Sequence, residues 1–442
     1  MTVASLDPSL QHLLHIWMPR QRWYPAKGRG VGLRRLGGVR LEDPSGEVGI
    51  EVHIIGLDSG DQVDVVQVPL TYRAAPLPGA EHALVGETTH SELGRRWVYD
   101  GTHDPAYVAA LLDALQLAPG ADRPDARSGS KVLTGEQSNT SIIVGGASER
   151  PSIVKLFRTL HPGANPDVEV TAALHEVGCD RVARPVGWLP GSWTAPDGSS
   201  AEGHLAVAAE YLAGSQDAWR EAVAAVEAGR DFSASARELG ETTAQVHLAL
   251  ARAFGTVPVT ETERQQIVAG LRSRVQWAVS SAEALEPYRE ALARHAADLD
   301  RLADLPDLQR VHGDYHLGQV LHSPARGWIV LDFEGEPLRP LAERTGPDLA
   351  LRDVAGMLRS FDYAAAYAGS AGAMPWADAA RTAFCEGYAA AGAPDPRERL
   401  DLLDALELDK ALYEVVYETR NRPDWVDVPL SSVTMLLAPD PS

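Results

Sequence analysis

The sequence predicts an α+β fold, with strands gathered in the N-terminal half and helices filling the C-terminal half. Three observations predict it. The stretch RSGSKVLTGEQSNTSIIVGGASERPSIVKLFRTL alternates β-like runs with Gly/Ser/Asn turns, in the order of an antiparallel hairpin unit. Residues 215–310 carry helical periodicity almost throughout, as in ARELGETTAQVHLALARAF, and helices resume from 348 to about 420. Between these helical stretches, VHGDYHLGQVL at 311–321 and LDFEGEP at 331–337 set polar residues between apolar anchors.

The elements follow in chain order. SLQHLLHIWM reads as a short helix, and GEVGIEVHIIGL and DQVDVVQVPLTYR read as strands joined by the turn residues DSGD. DPAYVAALLDALQL closes the first 120 residues with a helix. The hairpin unit comes next, and NPDVEVTAALHEVG begins a helix at Asn165-Pro166-Asp167. The Pro/Gly/Ser-rich stretches 119–130 and 189–203 are the expected linkers or loops. No internal repeat is found.

Composition bounds the function. A chain of 442 residues exceeds one compact core, so two or three substructures around a cleft are expected. No apolar run approaches a membrane span, and MTVASLDPSL lacks the basic and apolar regions of a signal peptide, so a cytoplasmic protein is expected. Cys179 and Cys385 are too few for a disulfide framework and lack metal spacing; they read as buried free thiols. Sixty-one acidic against forty basic residues give a formal charge of −21, which repels nucleic acid and anionic membrane. The expected partner is a small molecule, and the chain a monomer or homodimer.

Phosphoryl transfer from a nucleotide needs a loop over the phosphates, a Lys on their oxygens, an acid to hold that Lys, a base for the acceptor hydroxyl, and oxygen ligands for Mg²⁺. Each has a candidate in workable order. Lys155 lies in the β-like SIVKLF, one hairpin after the small-polar turn Gln137-Ser138-Asn139-Thr140. Glu169 sits in the following helix, where it can pair with Lys155. Asp314 is the candidate base, Gln319 has an amide oxygen for a hard cation, and Asp332 follows in WIVLDFEG.

HGDYHLGQ followed by VLDFEGEP resembles the catalytic segment of the aminoglycoside phosphotransferase and protein-kinase-like superfamily, in particular its maltokinase-like branch. That branch includes maltokinases and actinobacterial glucosamine kinases. QRWYPAKG, GEQSNTS, KLFRTLHPGANPDVEV, LRDVAGMLRSFDYA and LDKALYEVVYETRNRPDW extend the resemblance over most of the chain. It implies a bilobal kinase-like fold: a cap subdomain at 1–125, a β-rich nucleotide lobe at 126–212, and a helical lobe at 213–442. It also implies ATP and Mg²⁺, with Asp314 catalytic, Gln319 and Asp332 as metal ligands, Lys155 on the phosphates and Glu169 as its partner. Glu210, Tyr211 and Leu212 then fall where a hinge offers backbone groups to adenine. Gln319 in place of the usual Asn, and Glu334 in place of the Gly of DFG, separate the chain from protein kinases proper.

Some residues read as support. His312 shapes the loop, Asp353 braces it, Glu334 backs the metal ligands or joins them, and Trp23 belongs to a core. His316 reads as structural or as a substrate contact. In LELDKALYEVVYETRNRPDW, helical spacing places Asp409, Tyr413, Val416 and Arg420 on one face, with Lys410, Glu414 and Tyr417 beside it. A solvated ion-pair network is one reading. The other is a sugar pocket in which Asp409, Tyr413, Glu414 and Arg420, with Trp425 after the Pro423 stop, hold a pyranose. Possible anions at Asp409, Glu414 and Glu418, and an N-terminal part resembling the glucosamine kinase side of the branch, favour glucosamine, phosphorylated at the 6-position, over maltose at the 1-position. An aminoglycoside phosphotransferase and a non-catalytic binding module are the remaining alternatives.

Overall fold

The computed structural model describes residues 6–43, 45–60, 62–133, 138–336, 344–369 and 373–438. The chain divides into two compact units, one of residues 1–172 with 183–213, the other of residues 173–182 with 214–442.

In the first unit, α1 (Pro8–Trp17) starts where Asp7 accepts hydrogen bonds from Ser9 N and Leu10 N, with Pro8 at the first helical position. Its apolar face, Leu10, Leu14 and Trp17, packs with Trp23 and Tyr24 on a five-stranded antiparallel sheet. That sheet comprises β1 (Gly32–Leu41), β2 (Gly49–Ser59), β3 (Gln62–Arg73), β4 (Leu84–His90) and β5 (Gly94–Asp100), in the order β1-β2-β3-β5-β4. Trp23 is buried in this core, as expected. After α2 (Pro105–Ala114), capped by Asp104, comes a six-stranded sheet ordered β6-β10-β11-β9-β8-β7. Its strands are β6 (Gln116–Leu117), β7 (Ser130–Val132), β8 (Thr140–Val144), β9 (Ser152–Leu156), β10 (Pro185–Thr194) and β11 (Ser200–Glu210). The helix α3 (Pro166–Glu176) follows β9.

The two sheets share one core. Leu36, Ile50, Val52 and Ile54 of the first cluster with Ile142, Val154, Leu205 and Ala206 of the second. Polar groups pin the seam. Gln67 donates from its side chain to Phe157 O at 2.5 Å and to Leu205 O, while its N–H reaches Arg158 O at 2.9 Å. The buried Arg158 guanidinium meets Asp100 Oδ2 at 2.8 Å and lies 4.6 Å from the Trp23 ring.

The stretch 189–203 is no loop. It is the β10–β11 hairpin, paired from Ser192↔Glu202 to Thr194↔Ser200, with only the turn 195–199 outside. Pro190 sits at a register shift, where no ladder donor is needed. The glycines admit close neighbours: a Cβ on Gly191 would lie 2.6 Å from Leu205, and one on Gly203 2.9 Å from His161 O.

The second unit holds α4 (Ala218–Glu227), α5 (Ser233–Phe254), α6 (Glu261–Ser281), α7 (Arg289–Asp298), α8 (Leu351–Ala368), α9 (Ala373–Ala390), α10 (Leu400–Asn421) and α11 (Asp427–Leu436). The last lies beyond the helical text expected from the sequence. β12 (Gln216–Asp217), β15 (Val320–Ser323) and β16 (Gly327–Val330) form a small sheet, and β13 (Thr256–Val257) pairs with β14 (Leu308–Gln309). Helices α5 and α9 cross backbone to backbone. A Cβ on Gly240 would stand 2.0 Å from Phe384 O, and one on Gly387 2.0 Å from Arg237 O. Leu408, Ala411, Leu412, Val415 and Val416 of α10 face Val275, Ala278, Leu285 and Leu292.

Both cysteines are free and buried, and burial pushes the Cys385 thiol up to about 11. Among the described residues no helix is long and apolar enough to cross a membrane.

Candidate active site

In the second unit the loop 311–319 is suspended between α5, α8 and the β15–β16 hairpin. Tyr315 is buried, and its hydroxyl is 2.8 Å from Thr243 Oγ1 on α5. Helix α8 comes close enough that a Cβ on Gly356 would meet Tyr315 O at 2.5 Å. From the same helix Asp353 accepts from His312 N at 2.8 Å and Gly313 N at 2.9 Å, so it braces the loop. His247 Nε2 stands 3.0 Å from Asp353 Oδ2, and its Nδ1 2.8 Å from the Tyr388 hydroxyl of α9. A carboxylate only accepts, so Nε2–H donates to Asp353 and Tyr388 donates to Nδ1. Gly313 takes φ +84°, open to glycine at little cost, and turns the chain into Asp314.

His312 is buried and donates from Nε2 to Leu331 O at 2.7 Å, a structural bond to the segment after β16 that carries Asp332. His316 Nδ1 accepts from Gly318 N at 3.0 Å and caps the single turn Leu317–Gln319. Burial holds the His316 imidazole below its ordinary value, against the pull of the Asp314 carboxylate. That Nδ1 is therefore occupied, and Nε2 is the atom left for a ligand.

Asp314 is partly exposed. Its Oδ1 accepts from Lys410 Nζ of α10 at 3.2 Å, and among the described residues no donor is bonded to Oδ2. Lys410 also reaches Glu336 Oε1 at 2.8 Å and lies 5.3 Å from the Tyr413 ring centre. Gln319 and Asp332 meet, with Gln319 Nε2 3.2 Å from Asp332 Oδ2. Turned end for end, the amide would present Oε1 beside the carboxylate, two hard oxygen donors of the kind Mg²⁺ takes. Asp332 has φ +63°, a left-handed conformation that costs an L side chain about 1–3 kcal/mol and is typical of functional sites. Backbone pairing just ahead of it anchors the approach: Leu331 N donates to Gln319 O, and Val330 N to Arg181 O.

The residues expected along α10 part company. Both oxygens of Asp409 are engaged, Oδ1 by Arg274 at 3.3 Å and Oδ2 by Arg352 at 2.9 Å. Glu414 gives Oε2 to the buried Arg359 at 2.8 Å and 3.1 Å, while no described donor is bonded to Oε1. Tyr413 is half-buried between the Lys410 and Arg274 cations, parallel to Trp277, its phenol pushed up to about 12 chiefly by burial. Val416 faces the core and Arg420 is exposed. Trp425 stacks on Tyr367 at 5.4 Å.

In the first unit, Lys155 projects from β9 to Asp167 Oδ2 at 2.6 Å. Asp167 is buried in the first turn of α3, and Glu169, two residues on, is exposed. Of the turn ahead of β8, Gln137 lies outside the described residues. Ser138 is exposed, Asn139 half-buried, and Thr140 Oγ1 accepts from Arg158 Nε at 2.8 Å. At the end of β11, Glu210 N is bonded to Arg184 O and Tyr211 N to Pro151 O. Leu212 follows without a backbone bond of its own among the described residues.

Sequence reasoning gave no functional role to Asp167, which it read as part of a helix start, to Lys410, which it placed beside the polar face of its helix, or to Glu336. Each left a trace: a second acid in the first turn of α3, a lone Lys among the leucines and acids of LELDKALYEVV, and a third acid in DFEGE.

A model of the maltokinase N-terminal cap domain matches residues 17–104, and one of the phosphotransferase enzyme family matches residues 129–402, more than half of the chain. The chain belongs to this phosphotransferase family. Among curated proteins the phosphotransferase is similar to a glucosamine kinase of Streptacidiphilus jiangxiensis, with 33% identity over 366 residues, covering 76% of this chain and 81% of the relative. A glucosamine kinase of Mycolicibacterium smegmatis (strain ATCC 700084 / mc(2)155) is 30% identical over 367 residues, covering 74% and 87%. Among solved structures, a glucosamine kinase in crystal form B has 28% identity and a TM-score of 0.69, covering 97% of the phosphotransferase and 100% of that chain. A glucosamine kinase in complex with glucosamine, ADP and inorganic phosphate has 27% identity and a TM-score of 0.66, covering 98% and 100%.

Proposed function

We propose that the chain is an ATP-dependent, Mg²⁺-requiring kinase that transfers the γ-phosphoryl group of ATP to a hydroxyl of glucosamine, forming glucosamine 6-phosphate. The observation that carries the acceptor is that two curated relatives, and solved structures matched along nearly the whole chain, are glucosamine kinases. The acidic chain suits a cationic sugar, and Glu414 Oε1, to which no described donor is bonded, is the oxygen we assign to read its ammonium group.

Asp314 Oδ2 accepts the acceptor's hydroxyl proton late in the transfer, while the hydroxyl oxygen bonds to the γ-phosphorus and the bond to ADP breaks. Lys155, held by Asp167 and with Glu169 on the same helix, neutralises phosphate charge. Ser138, Asn139 and Thr140 belong to the turn over the phosphates. With Glu210 N and Tyr211 N already engaged, Leu212 offers the backbone groups for adenine. Gln319 and Asp332 would hold Mg²⁺, which supplies charge neutralisation on the phosphates. His316 Nε2 and Tyr413 contact the sugar, with Trp425 at the outer end. The protein works in the cytoplasm, as monomer or homodimer.

Two expected results test this. Phosphorylation of glucosamine should exceed that of glucose, N-acetylglucosamine, maltose and kanamycin when ADP release is measured with each in parallel. The maltokinase-type cap gives maltose a specific claim, and turnover with maltose alone would make the chain a maltokinase. Lys155→Met should lower kcat/KM for ATP by about 10²-fold or more and leave the KM for glucosamine near its original value. Unchanged ATP kinetics would remove Lys155 from the nucleotide site.

A further inference from the structure

We propose that Lys410 is a positioning residue for the transfer step: it clamps Oδ1 of Asp314 so that Oδ2 alone is offered to the acceptor hydroxyl. The proposal rests on the reading of Asp314 as the base.

Lys410 comes from a helix 96 residues beyond the loop, yet its ammonium reaches Asp314 Oδ1 at 3.2 Å and Glu336 Oε1 at 2.8 Å. It therefore ties the loop 311–319 to the segment after Asp332. The two backbones are adjacent at that point, since a Cβ on Gly313 would meet Gly335 Cα at 3.3 Å. The charged groups facing the ammonium are Asp314, Glu336, Glu414 and His316, with the Tyr413 ring on one side. Burial works against its charge, but the Glu336 and Asp314 carboxylates outweigh it and hold the ammonium above the ordinary lysine value. Lys410 thus stays a cation wherever the enzyme works.

A stability role explains this poorly. Ion pairs taken out of water stabilise little compared with a well-packed methionine or leucine at the same place. What the ammonium supplies is direction. A carboxylate free to rotate offers either oxygen, whereas one pinned at Oδ1 presents Oδ2, and misplacing a reacting group by about 1 Å can cost about 10²-fold in rate.

A double-mutant cycle tests the clamp in the full-length enzyme, with melting temperature recorded for each variant. Lys410→Met is expected to lower kcat about 10²-fold while the KM for ATP stays within about twofold. Lys410→Arg should recover much of the loss by restoring the cation. The double variant Asp314→Asn/Lys410→Met should be no slower than Asp314→Asn, because the clamp then has nothing to aim. Losses that multiply in the double variant, or a kcat for Lys410→Met equal to wild type, overturn the proposal. Should Lys410→Met fail to fold, Lys410→Gln is read in the same cycle. Full activity in Asp314→Asn would instead sink the assignment of the base and leave the two failures distinguishable.

Discussion

Asparagine at position 314 is expected to reduce kcat with glucosamine by about 10²–10⁴-fold, the usual contribution of a positioned base. Asparagine keeps the size of the side chain and an oxygen for Lys410, so the loop should hold its shape. What it loses is the carboxylate proposed to take the acceptor proton. Nucleotide affinity should change less than about threefold, since Asp314 is assigned no part in binding ATP. Single-turnover kinetics with equilibrium binding of ATP check both halves of the expectation. Near-normal turnover would show that another group receives the proton, and His316, two residues away with Nε2 unengaged, would be the first to examine.

Arg359→Met is expected to destabilise the fold by about 3–5 kcal/mol, the cost of leaving buried carboxylates without their cation. Arg359 is almost wholly buried and binds Glu414 Oε2 through Nε and Nη2, Asp362 Oδ2 at 2.9 Å through Nη1, and Ser432 Oγ. Methionine fills much of the space and satisfies none of these acceptors. Arg381 still reaches Asp362, but it is shared with Glu407, so the network has no spare cation. Burial already holds the Asp362 carboxyl above its usual value despite Arg381 and Arg359. With Arg359 gone it rises further, so the folded state takes up a proton where the unfolded chain remains ionised. The deficit should accordingly be largest near neutral pH and shrink as pH falls through the folded value. Urea unfolding at several pH values measures it. A deficit that grows on acidification would show that these carboxylates do not determine the loss.

The helices were legible because their apolar spacing repeats over many turns, and the two acids Asp314 and Asp332 because they sit in short polar segments between apolar anchors. The expectation that Asp353 braces the loop could be made from an acid set ahead of the apolar run VAGML. Strands fared worse. GLRRLGGVRL in β1 and LPGSWT in β10 lack the alternation that marks a half-buried strand, since bulges interrupt both and glycine stands where a neighbour presses close. Pairings were least legible. Periodicity can place Lys410 and Tyr413 on one helix, but whether Lys410 or Asp409 turns toward Asp314 depends on how α10 rotates against α6 and α8. Arginines settle that rotation: the partly exposed Arg274 and Arg352 take Asp409, and the buried Arg359 takes Glu414. The ionic face expected along α10 exists, and its charges are largely directed at the protein itself.

The crossing of α5 and α9 at Gly240 and Gly387 has a consequence for how the enzyme can vary. Backbone rests on backbone there, so the closest approach of these two helices is set at the two glycines. His247 and Tyr388, one from each helix, are joined by a hydrogen bond, and through Asp353 they are linked to the loop 311–319. The outer surfaces of both helices are thereby free to diverge in sequence without disturbing the chemistry. At the two glycines the tolerance is nil, because a single methyl group would wedge the helices apart and lift the loop with them. Evolutionary drift in this enzyme should therefore be generous around the crossing and abruptly closed at its centre.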